Sequence, residues 1–233
     1  MSTYELIIAN KNYSSWSLRP WILMKTAGIA FEERLIPFRG RGSANSAAFR
    51  KFSPSGKVPC LRDGDTLVWD SLAIVEYLHE RHDRIWPSDA KARAWGRSAA
   101  AEMHAGFQTL RSSCGMNCGI RVRLRGTSPK LQRDISRIEE LWDDGLARFG
   151  GPFLAGENFA VVDAFFCPVA FRVQTYGLPL GAKSSAYVER LLALPAMRDW
   201  YQAALAETWR VLEYEADAAA SGEVKADSRT MAV

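Results

Sequence analysis

The chain changes pattern once, across residues 83–89, and that change limits what it can fold into. Upstream, short strand-type and helix-type segments alternate. Residues 6–9 (Leu-Ile-Ile-Ala) read as a buried strand, and residues 17–27 as a helix stopped by Gly28. Residues 31–38 alternate, with Phe31, Leu35 and Pro37 on one parity and Glu32 and Arg34 on the other. Residues 58–62 and 66–69 are short strands, and Asp63-Gly64 between them predicts an antiparallel hairpin. Residues 71–81 form a helix with Leu72, Val75 and Leu78 on one face. The order βαβ, loop, ββα builds a mixed four-stranded sheet covered by helices. Downstream the pattern is helical almost throughout, over 90–112, 130–149, 161–176, 186–192 and 196–214. The expected organisation is an α/β domain over 1–82, a linker over 83–89, an all-helical domain over 90–215 and a frayed tail over 216–233. The sequence has no internal repeat.

Composition removes several alternatives. With 48% hydrophobic and 24% charged residues, the chain has enough apolar surface for a core and is not of the disordered type. No apolar run is long enough to cross a bilayer. The start, Met1-Ser2-Thr3-Tyr4-Glu5, carries no basic leader before an apolar stretch, so a cytoplasmic protein is expected. A formal charge of +4 is too small an excess to argue for nucleic acid. The four cysteines, Cys60, Cys114, Cys118 and Cys167, form no C-x-x-C pair, and only His79, His82 and His104 could join them as metal ligands. No metal site is expected, and the thiols read as reduced. Cys114 and Cys118 would share a face if their stretch were helical. Of eight tryptophans, all but Trp16 read as core.

Three short elements carry chemistry. The first strand runs into Tyr13-Ser14-Ser15-Trp16-Ser17-Leu18-Arg19-Pro20. Pro20 belongs in a first helical turn, which puts Trp16 or Ser17 near the cap and Ser14 and Ser15 in the turn before it. Their hydroxyls then lie beside unpaired N–H groups at the positive end of the helix, a place that holds anions. The same serines also suit ordinary capping. The second element is Gly56-Lys57-Val58-Pro59, where proline frees the Val58 backbone to pair with a peptide ligand as a short extra strand. The third is Trp69-Asp70-Ser71-Leu72-Ala73-Ile74, whose acid and hydroxyl at a helix start suit an α-amino-acid head or, again, simple capping.

Each element alone is weak; in this order, ahead of a helical half, they are specific. The chain resembles the cytosolic glutathione S-transferases over residues 6 to about 214. Its Tyr-Ser-Ser-x-Ser stretch is similar to the serine motif of the zeta class and to that of unclassified bacterial members. The resemblance implies a thioredoxin-like N-terminal domain, an all-α C-terminal domain, a cis Val58–Pro59 bond and a homodimer. That dimer would pack residues 90–110 against the neighbour's residues 61–80. Two departures stand out. Trp16 replaces the zeta cysteine, which disfavours thiol–disulfide chemistry and puts zeta-type isomerisation in doubt. Ala160 takes the place of the Ser or Thr that often precedes Asp163, so half of a capping box is missing.

By this resemblance the function is conjugation of glutathione, the co-substrate, to a small electrophile. Ser14, with Ser15 as second choice, would donate to the sulfur. The Val58 backbone beside Pro59 would pair with the cysteinyl part, and Asp70 and Ser71 would hold the γ-glutamyl head. Lys57 and Arg39 or Arg41 would reach the glycine carboxylate. Trp16, Met103, Phe107 and Leu110, with Met116 beyond, would face the electrophile. Arg121, Arg123 and Arg125 would meet an anionic substrate or else line a solvated strand. A glutathione-dependent isomerase and a non-catalytic glutathione-binding adaptor remain the alternatives. Neither nucleic acid nor membrane is an expected partner.

Overall fold

The computed structural model describes residues 4–41 and 45–231. Met1, Ser2 and Thr3, read above for a leader, and the last two tail residues lie outside them. The N-terminal unit comprises β1 (Tyr4–Ile8), α1 (Ser15–Thr26), β2 (Phe31–Leu35), the single turn α2 (Ser46–Phe49), β3 (Cys60–Asp63), β4 (Thr66–Trp69) and α3 (Ser71–His79). Its sheet has the order β2-β1-β3-β4, with β1 parallel to β2 and antiparallel to β3. This is the mixed four-stranded, thioredoxin-like sheet expected. Strand β1 is apolar on both faces because both are covered. Leu6 and Ile8 join the main core, while Ile7 packs with Ala9, Phe49, Phe52 and Cys60.

The rest comprises α4 (Ala90–Ala105), α5 (Gln108–Ser113), β5 (Ile120–Leu124), α6 (Pro129–Phe149), α7 (Val161–Tyr176), α8 (Ala182–Ala193), α9 (Pro195–Ala206), α10 (Leu212–Ser221) and β6 (Gly222–Asp227). Helix α7 is buried over nearly its whole length, and α1 and α4 pack against it. Its start is fixed by Asp163, which accepts from the N–H groups of Ala160 and Leu154 and from the Tyr187 hydroxyl. The Tyr187 hydroxyl holds the carboxylate in place from α8, while the hydroxyl acceptor that a Ser or Thr at 160 would offer to the Asp163 N–H is missing.

Several boundaries differ from the sequence reading, each for a visible reason. Helix α1 starts at Ser15 with Ser14 as its cap, so Pro20 lies inside the helix rather than in its first turn. The helix expected over 90–112 breaks at Gly106 and at Phe107, which has φ 59°. Arg111 caps the break by donating to the carbonyls of Met103 and Gly106. The helix expected to 214 stops at Ala206, because Glu207 turns to accept the N–H groups of Lys11 and Asn12 at 2.6 and 3.2 Å. The stretch between Cys114 and Cys118 is not helical. The tail is not frayed over the described residues. It forms the end of α10 and then β6, which pairs antiparallel with β5.

Candidate active site

A cleft of about 770 Å³ opens between the start of α1 and the helical half. On the α1 side it is lined by Tyr13, Ser14, Ser15 and Trp16, and at its edge by Lys57 and Val58. Ser14 has φ −83° and ψ 84°, a non-helical cap conformation, and its Oγ accepts the Ser17 N–H at 3.4 Å. The same hydroxyl donates to Ser17 Oγ at 2.8 Å, and Ser17 Oγ also accepts the Ala9 N–H at 3.2 Å. The Ser15 hydroxyl has no hydrogen-bond partner among the described residues and lies in the first turn of α1. Tyr13 is otherwise engaged: its hydroxyl donates to Glu215, and burial followed by that carboxylate pushes its pKa up.

Val58–Pro59 is cis, as the resemblance implies. Pro59 is buried behind Val58, whose own N–H and C=O have no hydrogen-bond partner among the described residues. Asp70 caps α3 at φ 76°, with Oδ1 accepting the Leu72 N–H at 2.8 Å. Its Oδ2 lies 3.4 Å from His104 Nε2, and the His104 ring meets the Trp16 ring edge-on at 5.1 Å. Burial pushes the His104 pKa down against the opposing pull of Asp70. The Ser71 hydroxyl is buried without a partner among the described residues. Asp70 and Ser71 are not among the lining residues; Asp70 connects to the cleft through His104 and Trp16.

Other expected residues lie elsewhere. Met103, Phe107 and Leu110 are core, not cleft wall: their apolar spacing serves the packing of α4 and α5. Arg39 is exposed and outside the cleft, where its N–H donates to Asn45. Arg41 does line the cleft, paired with Asp217 and 5.6 Å from the Tyr214 ring. Met116 lines it as well. Arg121 is turned to Cys118 O, Ile120 O and the Tyr201 hydroxyl. Arg123 pairs with Glu223, and Arg125 donates to Ala220 O, so these arginines hold the β5–β6 ribbon and its approach. The sequence reading missed Arg111, Arg172, Tyr214 and Asp217 in the cleft wall. For Arg172 a signal existed: it is the one basic residue in a mostly apolar helix pattern over 161–176.

The residues that make the sheet and the mouth of α1 match a family model, the N-terminal domain of glutathione S-transferase, over residues 13–81. The C-terminal domain of the same family matches over residues 123–203. The chain belongs to the glutathione S-transferase family. Among relatives of this transferase, the zeta-class glutathione S-transferase of Euphorbia esula is 30% identical over 158 residues, covering 66% of this chain and 70% of that one. The probable maleylacetoacetate isomerase of Vibrio cholerae is 25% identical over 201 residues, covering 82% and 93%. In structure, a Burkholderia glutathione transferase homologue with bound glutathione superposes with a TM-score of 0.65 at 21% identity, covering 87% and 98%. The likeness to a zeta-class transferase thus covers 158 residues, about two thirds of the chain. This family member has no cysteine among the described residues lining its cleft. All four thiols are buried elsewhere.

Proposed function

We propose that the protein is a cytoplasmic, homodimeric glutathione transferase that conjugates the glutathione thiolate to small electrophiles, with Ser14 as the donor to sulfur. The observation that carries this reading is the hydrogen bonding of Ser14. Its oxygen is anchored by the Ser17 N–H, while its proton rests on an acceptor that does not depend on it. When a thiol enters, the Ser14 hydroxyl swings to the sulfur. Ser17 Oγ keeps the Ala9 N–H, so nothing buried is left unpaired. A thiol with a pKa of about 8.5 is mostly protonated at neutral pH, and a hydroxyl donor at the positive end of a helix favours the thiolate. Ser15 is the second choice.

The remaining parts of glutathione are assigned to groups at and beside the cleft. The unpaired Val58 N–H and C=O suit the cysteinyl backbone. Asp70 suits the γ-glutamyl ammonium, and the unpartnered Ser71 hydroxyl its carboxylate. Lys57, exposed at the cleft edge, suits the glycine carboxylate. Arg39 is exposed and not among the lining residues, so it drops out of this set, and Arg41 is engaged by Asp217. Trp16 fills the place of the zeta cysteine, so the reading includes no protein thiol. Zeta-type isomerisation is the second reading, carried by the likeness to the Vibrio protein.

The test is retention on immobilised glutathione followed by turnover of a generic aryl halide with wild type, Ser14→Ala and Ser15→Ala. Loss of one such donor costs about 10²-fold in rate. Such a loss in Ser14→Ala with glutathione still bound supports the reading. A loss in Ser15→Ala alone moves the role to Ser15. Retention without turnover of any electrophile, or of a cis-diketo acid, supports a binding adaptor instead.

A further inference from the structure

The cleft is also lined by two guanidiniums, those of Arg111 and Arg172, that form no ion pair among the described residues. Arg172 is only 3% exposed although it lines the cleft. Its Nε donates to Cys114 O at 2.8 Å and its Nη1 to Pro168 O at 3.3 Å, which fixes the group's plane. Its Nη2 has no partner among the described residues, yet it is not sealed from solvent. Arg111 has the same arrangement. Nε donates to Gly106 O at 2.9 Å and Nη2 to Met103 O, while Nη1 has no partner among the described residues. Each cation is thus immobilised by backbone carbonyls and keeps one η nitrogen, with its two N–H groups, without a partner among the described residues.

Their surroundings offset them only in part: Asp134 acts on Arg111, while the buried Arg19 adds a third positive charge to the pair. Among the described residues neither arginine forms an ion pair. The one carboxylate among the described lining residues, Asp217, is held by Arg41. Asp134, which acts on Arg111, accepts the Leu110 N–H at 2.9 Å. Tyr176, Cys114 and Cys118 lie beside Arg172 but keep their protons, because burial pushes all three pKa values up. Burial and the charge of Arg111 push Arg172 down to about 10, so it stays charged at neutral pH. Two like charges held together in a poorly solvated wall oppose folding unless an anion offsets them.

We propose that Arg111 and Arg172 form a carboxylate-binding subsite in the electrophile half of the cleft, so that the favoured second substrate is an electrophile bearing a carboxylate. The fixed donors suit charge-assisted hydrogen bonds to such a group, which are stronger than neutral ones. The inference rests on the transferase reading for the choice of probe only.

The experiment compares S-propylglutathione with S-(2-carboxyethyl)glutathione by calorimetry at low salt. The two differ by a methyl against a carboxylate. The carboxyethyl form is expected to bind at least about tenfold more tightly to the wild type, given what hydrogen bonds to charged groups contribute. That preference should collapse in Arg111→Gln and Arg172→Gln, while free glutathione binds all three proteins alike. Equal binding of the two conjugates by the wild type, a comparison that needs no variant, overturns the subsite. If no glutathione derivative binds, the glutathione reading fails by itself. The subsite is then decided by thermal shift with fumarate against its neutral diamide. Stabilisation by fumarate alone, lost in Arg111→Gln, sustains it; no stabilisation overturns it.

Discussion

Ser14 Oγ donates to Ser17 Oγ across 2.8 Å, and Ser17 Oγ accepts the buried Ala9 N–H from β1. The two serines therefore divide a catalytic and a structural task. Ser17→Ala should orphan the Ala9 N–H and lower stability by about 1–3 kcal/mol, with turnover per folded molecule little changed. Ser14→Ala should cost about 1 kcal/mol of capping and most of the rate. Chemical denaturation paired with initial rates checks the division.

The thiols should be silent in the native protein. Burial pushes Cys60 up and Cys114 up to about 12, and it raises Cys118 and Cys167 as well. A disulfide reagent at pH 7.5 should label no cysteine until the chain unfolds, and then all four. Exchange with glutathione disulfide should be absent. Trp16→Cys places a thiol at the α1 mouth and should form a glutathione adduct visible by mass spectrometry.

Gly145 lies within α6, where alanine would ordinarily gain about 1 kcal/mol. Here a Cβ would sit 2.4 Å from the Trp95 ring and 2.7 Å from the Leu154 carbonyl oxygen. The carbonyl is backbone and cannot swing away. Gly145→Ala should therefore destabilise by about 1–3 kcal/mol, as overpacking does. Gly126→Ala, in the loop before α6 with nothing within 4 Å, is the unhindered control in a thermal melt.

Arg229 ties the C-terminal segment to the cleft wall, bonding Glu215 at 2.6 and 2.8 Å and Asp227 at 2.6 Å with a side chain 4% exposed. Burial acts upward on the Glu215 pKa, but the hydrogen bonds from Arg229 and Tyr13 outweigh it, and the net shift is down. A carboxylate depressed in the folded state contributes stability above its unfolded pKa of about 4.5 and loses it as pH falls through the folded value. Arg229→Ala should cost about 2 kcal/mol at pH 7, a partly exposed version of breaking a buried pair. It should also flatten the loss of stability below pH 4.5, measured by urea midpoints against pH.

The thioredoxin-like unit was legible because its signals are local: the Asp63-Gly64 turn, the apolar run of β1 and the parity of Phe31 and Leu35. The serine mouth of α1 and Val58–Pro59 were legible for the same reason. The electrophile wall was not. Met103, Phe107 and Leu110 have the spacing of a lining stripe, but the break at Gly106–Phe107 turns them into the core. That break depends on Arg111 reaching back to carbonyls of the preceding helix. The ordered tail was hidden likewise, since a polar strand such as β6 forms only because β5 offers it an edge. Its preceding helix then brings Tyr214 and Asp217 to the cleft, a placement with no local signature.

The central claim is that Ser14 stabilises the thiolate of bound glutathione, and the ionisation of that thiol tests it most directly. Thiolate absorbance near 240 nm is followed from pH 5 to 10 with glutathione bound to the wild type and to Ser14→Ala. The account predicts that the bound thiol titrates well below the free value of about 8.5 in the wild type and returns towards it in Ser14→Ala. A bound thiol that titrates like free glutathione in the wild type, or one equally depressed without the Ser14 hydroxyl, would contradict it.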